Sequence, residues 1–500
     1  MKDATQGSSG ILVSPWIGRA PLLAAALLAL LVNAINIDRH YRSACPSDPW
    51  EAAETVEAYR SLTGMPVYDP TPDAHSTHMY GALAPWTLAE VFRIVGPNNG
   101  SGRLITLAAS LATVLLLAGC TSGNRSVWFL LVASALFFGL NHRSGNYFIV
   151  NRPDMPALLC AALGVVLMGW GHEFRRWPLV IAGTGCLIVG FFFKQTAAIA
   201  GVVPAVALVL KGRRPTLPQV IFAIFPAAVM FGVVQGLKLA NPAMYRSMIL
   251  MPKAFALNWP GAVKTAWELL LDYPLVLVLI GEGIARDRRP LREQPVLLWI
   301  VATFAITYPF SALTAAKAGG TNNSLLPALL TMSAFVALRL PRITTVLDNR
   351  ETHPLRRLAF GTFLGLLLLM CLFPHLTRRN NLLRPKTAMG AAYAKAVEGA
   401  RGLPGVVRSP EDPTIAVLAK GQVGRNLYSE YDCHLVNGEW PDQPPAPALA
   451  ELESADYIVD VRGWWQDILD DGQLESLGFV PVADPAFDET YYRLWRRVTK

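Results

Sequence analysis

The chain has 500 residues, of which 52% are hydrophobic and 16% charged, far below the roughly 25% charged residues of an ordinary globular protein. Length alone would suggest three soluble domains; composition excludes that and points to a membrane protein. The net charge of +8 is uneven: residues 401–500 hold 9 Lys and Arg against 17 Asp and Glu, leaving 35 against 19 for the first 400.

Apolar runs approaching the roughly 20 residues that a helix needs to cross a bilayer recur up to position 375. Eleven spans are expected, at about 15–37, 102–120, 127–147, 154–171, 177–193, 196–210, 217–237, 267–285, 294–313, 324–341 and 358–375. The first lacks a small-residue cleavage site and reads as a retained span, not a signal peptide. The segment 79–96 contains Pro85, Glu90 and Arg93 and reads as an interfacial helix anchored by Trp86 and Arg93. With that reading, Arg175/Arg176, Lys211/Arg213/Arg214, Arg286/Arg288/Arg289/Arg292 and Arg339/Arg342/Arg350/Arg356/Arg357 all share the face of the N-terminus. That is the positive-inside pattern, and it explains the basic excess better than nucleic-acid binding, for which no aromatic-interleaved basic stripe exists. Arg378, Arg379, Arg384 and Lys386 run against the pattern.

The expected fold is therefore a polytopic α-helical membrane protein with a transmembrane module over 1–375, in which 38–101 is the first extracytoplasmic loop. A small α/β domain over 376–500 follows, also extracytoplasmic. In the tail, TIAVLA (414–419), YIVDV (457–461), FVPV (479–482) and YYRLW (491–495) look like strands, and WWQDILDDGQLESLG looks helical. Four of the six cysteines, Cys120, Cys160, Cys186 and Cys371, lie in apolar runs, and there is no CxxC pair.

Ionisable groups at a membrane face are costly to desolvate, so four segments attract attention. In SDPWEAAETVEAYRSLTG (47–64), Asp48 caps a helix and Glu51 stands three residues on, as in a capping box; capping and chemistry are equally good accounts of Asp48. NRPD (151–154) puts Arg152 and Asp154 at the mouth of a span, where a plain cap is the commoner explanation. In FFFKQTAAIAG (191–201), Lys194 and Gln195 lie between apolar runs on the face that disfavours Lys, which favours contact with an anion over a solvated turn. AKAGGTNNSLLP (316–327) is a Gly- and Asn-rich loop that could nest an anion, although turns are more frequent. His75 and His78 have the spacing for a divalent metal with neighbouring carboxylates, short of a third fixed ligand. There is no P-loop, HExxH or GxSxG motif, nor a Rossmann-like glycine loop for a nucleotide-sugar.

In order, these segments resemble the GT-C superfamily of polytopic glycosyltransferases, in the branch of protein O-mannosyltransferases and the bacterial aminoarabinose lipid A transferase. SDPWEAAETVEAYRSLTGMPVYD, with Asp48, Tyr59, Gly64 and Tyr68, is similar to the family's acidic first outer loop. HMYGALAPW looks like its Pro-rich juxtamembrane segment, with His78, Met79, Tyr80 and Gly81 where an acidic-basic pair or tandem proline is usual. Arg152-Pro153-Asp154, Lys194-Gln195-Thr196 and Gly319 to Asn323 complete the likeness over residues 15–375. The resemblance implies sugar transfer from a polyprenyl-phosphate donor to an envelope acceptor (lipid, polysaccharide or protein) at the inner membrane, on its extracytoplasmic face. Its catalytic residues would be Asp48, the base of an inverting attack, and Asp154; Glu51, His78, Tyr80, Arg152, Lys194, Gln195 and Asn322 would bind substrate. No cofactor is implied with certainty. A transporter or flippase would have its charges mid-span, whereas these gather in outer loops; a non-catalytic subunit of an envelope-assembly complex would not need Asp48, Asp154 and Lys194 together.

Overall fold

The computed structural model describes residues 16–68, 78–121, 127–139, 146–212, 214–286, 289–348, 353–371, 387–429, 446–462, 469–487 and 491–498. His75, the basic cluster at 378–386 and the prolines at 441–445 fall outside them.

Helical segments stand at each expected span. Among the described residues, six are long and apolar enough to cross a bilayer alone, beginning with α1 (Trp16–Arg42) and α4 (Asn99–Thr121). The others are α6 (Asp154–Glu173), α9 (Leu217–Ala240), α12 (Pro295–Ala315) and the segment Asn322–Pro341 that opens α13 (Leu326–Asp348). Between α1 and α4 come α2 (Pro49–Leu62) and α3 (Leu83–Val95); shorter apolar helices are α5 (Val127–Gly139), α7 (Trp177–Phe193), α8 (Val203–Leu210) and, later, α14 (Pro354–Met370).

Burial orders them. The segment Asn322–Pro341 has 72% of its apolar window inside the protein against 28% for Leu217–Ala240, so α13 is the central post and α9 a lipid-facing wall. Leu329, Val336, Leu340 and Leu347 of α13 pack with Leu22 and Ala26 of α1 and Leu364 of α14. The first and last spans meet at glycines: a Cβ on Gly361 would lie 1.8 Å from the carbonyl oxygen of Gly18, so backbone approaches backbone as small residues permit in membranes.

The structure corrects the expected span at 267–285. It divides into α10 (Trp259–Leu271) and α11 (Pro274–Arg286), which are separated by Asp272 and Tyr273, because a residue before proline is driven out of the helical region. Trp259 and Trp267 are exposed on α10, the placement of an interfacial helix. The expected span 196–210 begins as a 3-10 turn, Gln195–Val202, and becomes α-helical at α8. At 13 residues, α3 is too short to span; it lies on α2 with Trp86 and Ile94 exposed, as an interfacial helix does.

The tail opens with α15 (Thr387–Gly402) and carries a four-stranded sheet of order β1–β2–β4–β3. In it β1 (Val407–Arg408) runs parallel to β2 (Tyr457–Val461), while β4 (Tyr492–Arg497) is antiparallel to both β2 and β3 (Phe479–Val482). TIAVLA is not a strand. It forms α16 (Thr414–Lys420), started by Asp412, whose carboxylate accepts from the Thr414 N–H, and stopped by Gly421 at φ 65°; these are the start and stop signals of a helix. The tail is also not a detached module. Cys45, just after α1, lies in its core beside Tyr393, Val459 and Tyr492, and Asn426 donates to the Pro49 carbonyl at 2.9 Å.

Candidate active site

Asp48 has extended backbone (φ −153°) and its Oδ1 accepts from the Glu51 N–H at 2.7 Å, so it caps α2. Pro49 at the first helical position is preorganised for such a start. Glu51 completes no capping box. Its oxygens accept from Nε and Nη2 of Arg103 on α4, both at 2.8 Å, and from the backbone N–H groups of Asn151, at 3.0 Å, and Ser47. The same guanidinium donates to the carbonyls of His40, Ser43 and Cys45. Burial alone would raise the Glu51 carboxyl, but the Arg103 charge and these donors hold it down to about 2. The pair is wholly buried and ties α1, α2, α4 and the 151–153 turn into one block.

On that block stands a second set of charges. Arg152 is buried among three rings: Tyr80, Tyr147 and Trp50 lie with centroids 5.2, 5.5 and 5.8 Å from its guanidinium carbon, a favourable setting for a cation. Its Nη2 donates to the Tyr80 hydroxyl at 2.6 Å and its Nε lies 3.8 Å from Asp154 Oδ2, while Nε and Nη1 have no hydrogen-bond partner among the described residues. Lys194, which ends α7, donates to Asp154 Oδ1 at 2.5 Å and lies 5.0 Å from the Tyr80 ring centre.

Asp154, Arg152, Lys194 and Tyr80 are thus brought together, and Asp48 lies near enough for its charge to act on Arg152 and Tyr147. Gln195 serves a neighbouring role: its Nε2 donates to the Met79 carbonyl at 3.3 Å, holding the segment that carries Tyr80. Asn322 is exposed, one residue off the site; Asn323 is buried and lines the end of the groove with Asp154. Thr321 in turn donates to Asn323 Oδ1 at 2.6 Å, so the Gly- and Asn-rich loop enters through these side chains. His78 is buried, with Nε2 3.2 Å from the Gly81 carbonyl and Nδ1 4.0 Å from Glu54 Oε1. Burial pushes its imidazole down to about 4, so it is neutral at pH 7. Among the described residues no group of three or more His, Cys, Asp or Glu is placed to hold a metal ion.

Sequence reading missed four participants. Glu54 is buried in the second turn of α2, and burial pushes its carboxyl up to about 8 against the pull of Arg152. Its signal was in the sequence, since Glu51, Glu54 and Glu57 recur every three residues on one helix. Arg103, Tyr147 and Trp50 had no local signal, since only chain folding puts them beside their partners.

From these charges an apolar groove of about 370 Å³ runs the depth of the protein. Asp154, Lys194 and Asn323 line one end and Glu173, Phe174 and Pro295 the other, with Leu158, Val165 and Trp299 between. Asp154 and Glu173 bound a 20-residue helix, about 30 Å long at the helical rise.

No protein-family model matches the sequence, and no curated protein matches it. Solved structures do. ArnT from Cupriavidus metallidurans in the apo state superposes with a TM-score of 0.57 at 11% identity, over 95% of this chain and 97% of that one. The same protein bound to undecaprenyl phosphate gives 0.56 at 12% identity, with the same coverage. The polytopic helical architecture with a small C-terminal sheet domain expected from the sequence is borne out at the level of fold: over nearly its whole length this chain has the fold of ArnT.

Proposed function

We propose that the chain is an integral membrane glycosyltransferase that moves a sugar from a polyprenyl-phosphate donor to an envelope lipid, polysaccharide or protein. The carrying observation is the union of a bilayer-deep apolar groove with a cationic end, where two nitrogens of buried Arg152, beside Lys194, have no hydrogen-bond partner among the described residues. Buried donors are rarely left unmade, and a phosphate would satisfy them. An isoprenoid tail suits the groove, and ArnT, whose fold the chain shares, is solved with undecaprenyl phosphate bound.

The chemistry follows from charge. The acceptor hydroxyl attacks the anomeric carbon as the bond from that carbon to the phosphate oxygen breaks, so the configuration inverts. The hydroxyl proton passes to Asp48, and the polyprenyl phosphate departs with the bonding pair. Because the leaving group is already a stable anion, one base suffices. Lys194 and Arg152 neutralise the phosphate in a site that lipid and protein keep dry, where such attraction is strongest. Asp154, held by Lys194, orients sugar or acceptor hydroxyls. The charged end faces away from the cytoplasm, since the arginine-rich loops gather at the opposite face.

Mass spectrometry of envelope lipids, polysaccharide and protein from cells with and without the chain tests this reading, alongside transfer by the purified protein from polyprenyl-phosphate sugars. One envelope component should lose a sugar when the chain is missing, and the purified protein should restore it with inverted configuration. An unchanged envelope together with no transfer from any such donor would overturn the proposal.

A further inference from the structure

A path of buried hydrogen bonds leads from the tail domain to the charged end of the groove. Asp412 in the tail accepts at Oδ1 from both the N–H and the hydroxyl of Thr414. That hydroxyl has a single hydrogen, so the Tyr393 hydroxyl, 2.7 Å away on α15, donates to Thr414. Tyr393 accepts in turn from Nδ2 of Asn99, the first residue of α4, at 3.4 Å. The Asn99 Nδ2 also donates to the Ala44 carbonyl at 3.0 Å, and its Oδ1 accepts from the Thr55 hydroxyl of α2 at 3.0 Å. Thr55 accepts from Nδ2 of Asn151 at 3.4 Å, and the Asn151 N–H donates to Glu51. The next residue is Arg152.

Asp412, Thr414, Tyr393, Asn99, Thr55 and Asn151 are all buried, and from Asn151 to Asp412 each link donates in the same direction. Aligned bonds polarise one another, and a buried polar network whose members are satisfied fixes one arrangement of the segments it joins. Burial pushes the Asp412 carboxyl up to about 7, and its Oδ1 accepts from Thr414 whether or not Oδ2 carries a proton. The far end is fitted closely: a Cβ on Gly102 of α4 would lie 2.0 Å from Asn151 Cγ, so glycine there admits the amide.

We propose that Tyr393 is a positioning residue for the donor: through Asn99 and Thr55 it fixes Asn151, and so holds the neighbouring Arg152 guanidinium in register with the donor phosphate. That role presupposes Arg152 as a ligand of the phosphate, as proposed above. A binding group works only when its supports hold it to within about 0.5 Å, and the side chain of Asn151 is the support next to Arg152 in the chain. The tail thus takes part in donor binding without touching the donor.

The full-length protein in detergent is titrated with undecaprenyl phosphate and with undecaprenol, which has the same tail and no phosphate. The wild type should bind the phosphate more tightly. Tyr393→Phe keeps the ring and removes the hydroxyl; it should weaken undecaprenyl phosphate about three- to tenfold, the worth of one buried hydrogen bond, and leave undecaprenol unchanged. Thr55→Val should do the same, and the double variant should lose no more than either single one, because one break already interrupts the path. Asn426→Ala loosens the tail at Pro49, off the path, and should keep the full preference for phosphate. Should Tyr393→Phe fail to fold, Thr55→Val still decides. No loss, an equal loss for both ligands, additive losses in the double variant, or the same loss in Asn426→Ala would overturn the positioning role. A wild type that binds phosphate and alcohol alike would instead remove the phosphate site, and this role with it.

Discussion

The ammonium of Lys194 and Oδ1 of Asp154 lie 2.5 Å apart, although 40 residues separate them in the chain. Each is buried, so each is what makes the other's charge tolerable, and neither can be changed without exposing its partner to an unfavourable site. In the proposed reaction the lysine turns toward the donor phosphate. Lys194→Ala should therefore weaken binding of a polyprenyl phosphate, by roughly tenfold or more if about 1.4 kcal/mol of charge attraction is lost, while Lys194→Arg retains part of it. Donor titration at two salt concentrations measures this; an unchanged affinity in the alanine variant would make the lysine a partner of Asp154 and nothing more.

Asp48→Asn separates capping from catalysis. Asparagine caps as well as aspartate, so the bond to the Glu51 N–H survives and α2 stays in place. Removal of a catalytic base should reduce turnover by about a hundredfold or more while donor binding holds. Turnover within a few fold of the wild type would return Asp48 to a purely structural role.

The Glu54 carboxyl, pushed up to about 8 by burial, holds its proton at neutral pH. His78, Arg152, Lys194, Asp154 and Glu57 surround it. As pH rises through about 8, a new negative charge appears beside the proposed phosphate site, so transfer should fall on an alkaline limb centred there. The sign for stability agrees: a carboxyl raised above its unfolded value of about 4.3 contributes stability below that value and loses it as pH rises through the folded one. Glu54→Gln should remove the limb and keep neutral activity. A pH profile identical to the wild type's would exclude Glu54 as its origin.

Glu51→Gln leaves Arg103 buried without its counter-charge, which should cost about 3–5 kcal/mol of stability. Replacement of both residues by leucine should recover part of that loss, as thermal unfolding in detergent would show. If Glu51→Gln unfolds at the wild-type temperature yet fails to bind donor, Glu51 contacts substrate, as the sequence suggested, and is no internal tie.

Orientation is open to labelling from outside the cell. Glu90→Cys on the exposed face of α3 should react with an impermeant maleimide in intact cells, and Arg175→Cys, in an exposed turn, only after lysis. The reverse order would invert the topology and place the charged end of the groove in the cytoplasm.

Composition and apolar run length decided the membrane class and the approximate spans, because a bilayer imposes its thickness on any helix that crosses it. Asp48, Arg152, Asp154 and Lys194 were legible for a related reason: charge at a membrane face is too costly to appear without a partner or a task. Local punctuation, by contrast, was misread where two signals competed. The run TIAVLA is rich in strand formers, yet Asp412 and Gly421 make it a helix, and Pro274 cuts an otherwise continuous apolar stretch.

Tertiary structure alone decided the pairings. Nothing local links Glu51 to Arg103, 52 residues on, or selects Asn323 over Asn322 as the residue at Asp154. A one-residue step along a helical turn rotates a side chain by about 100°, so loop register cannot be read from composition. The tail's seat on Cys45 and Pro49 is of the same kind, since its apolar face is matched only by a surface that exists once α1 and α2 have packed. What the sequence carries is the cost of each buried charge; which partner offsets it is decided when distant segments meet.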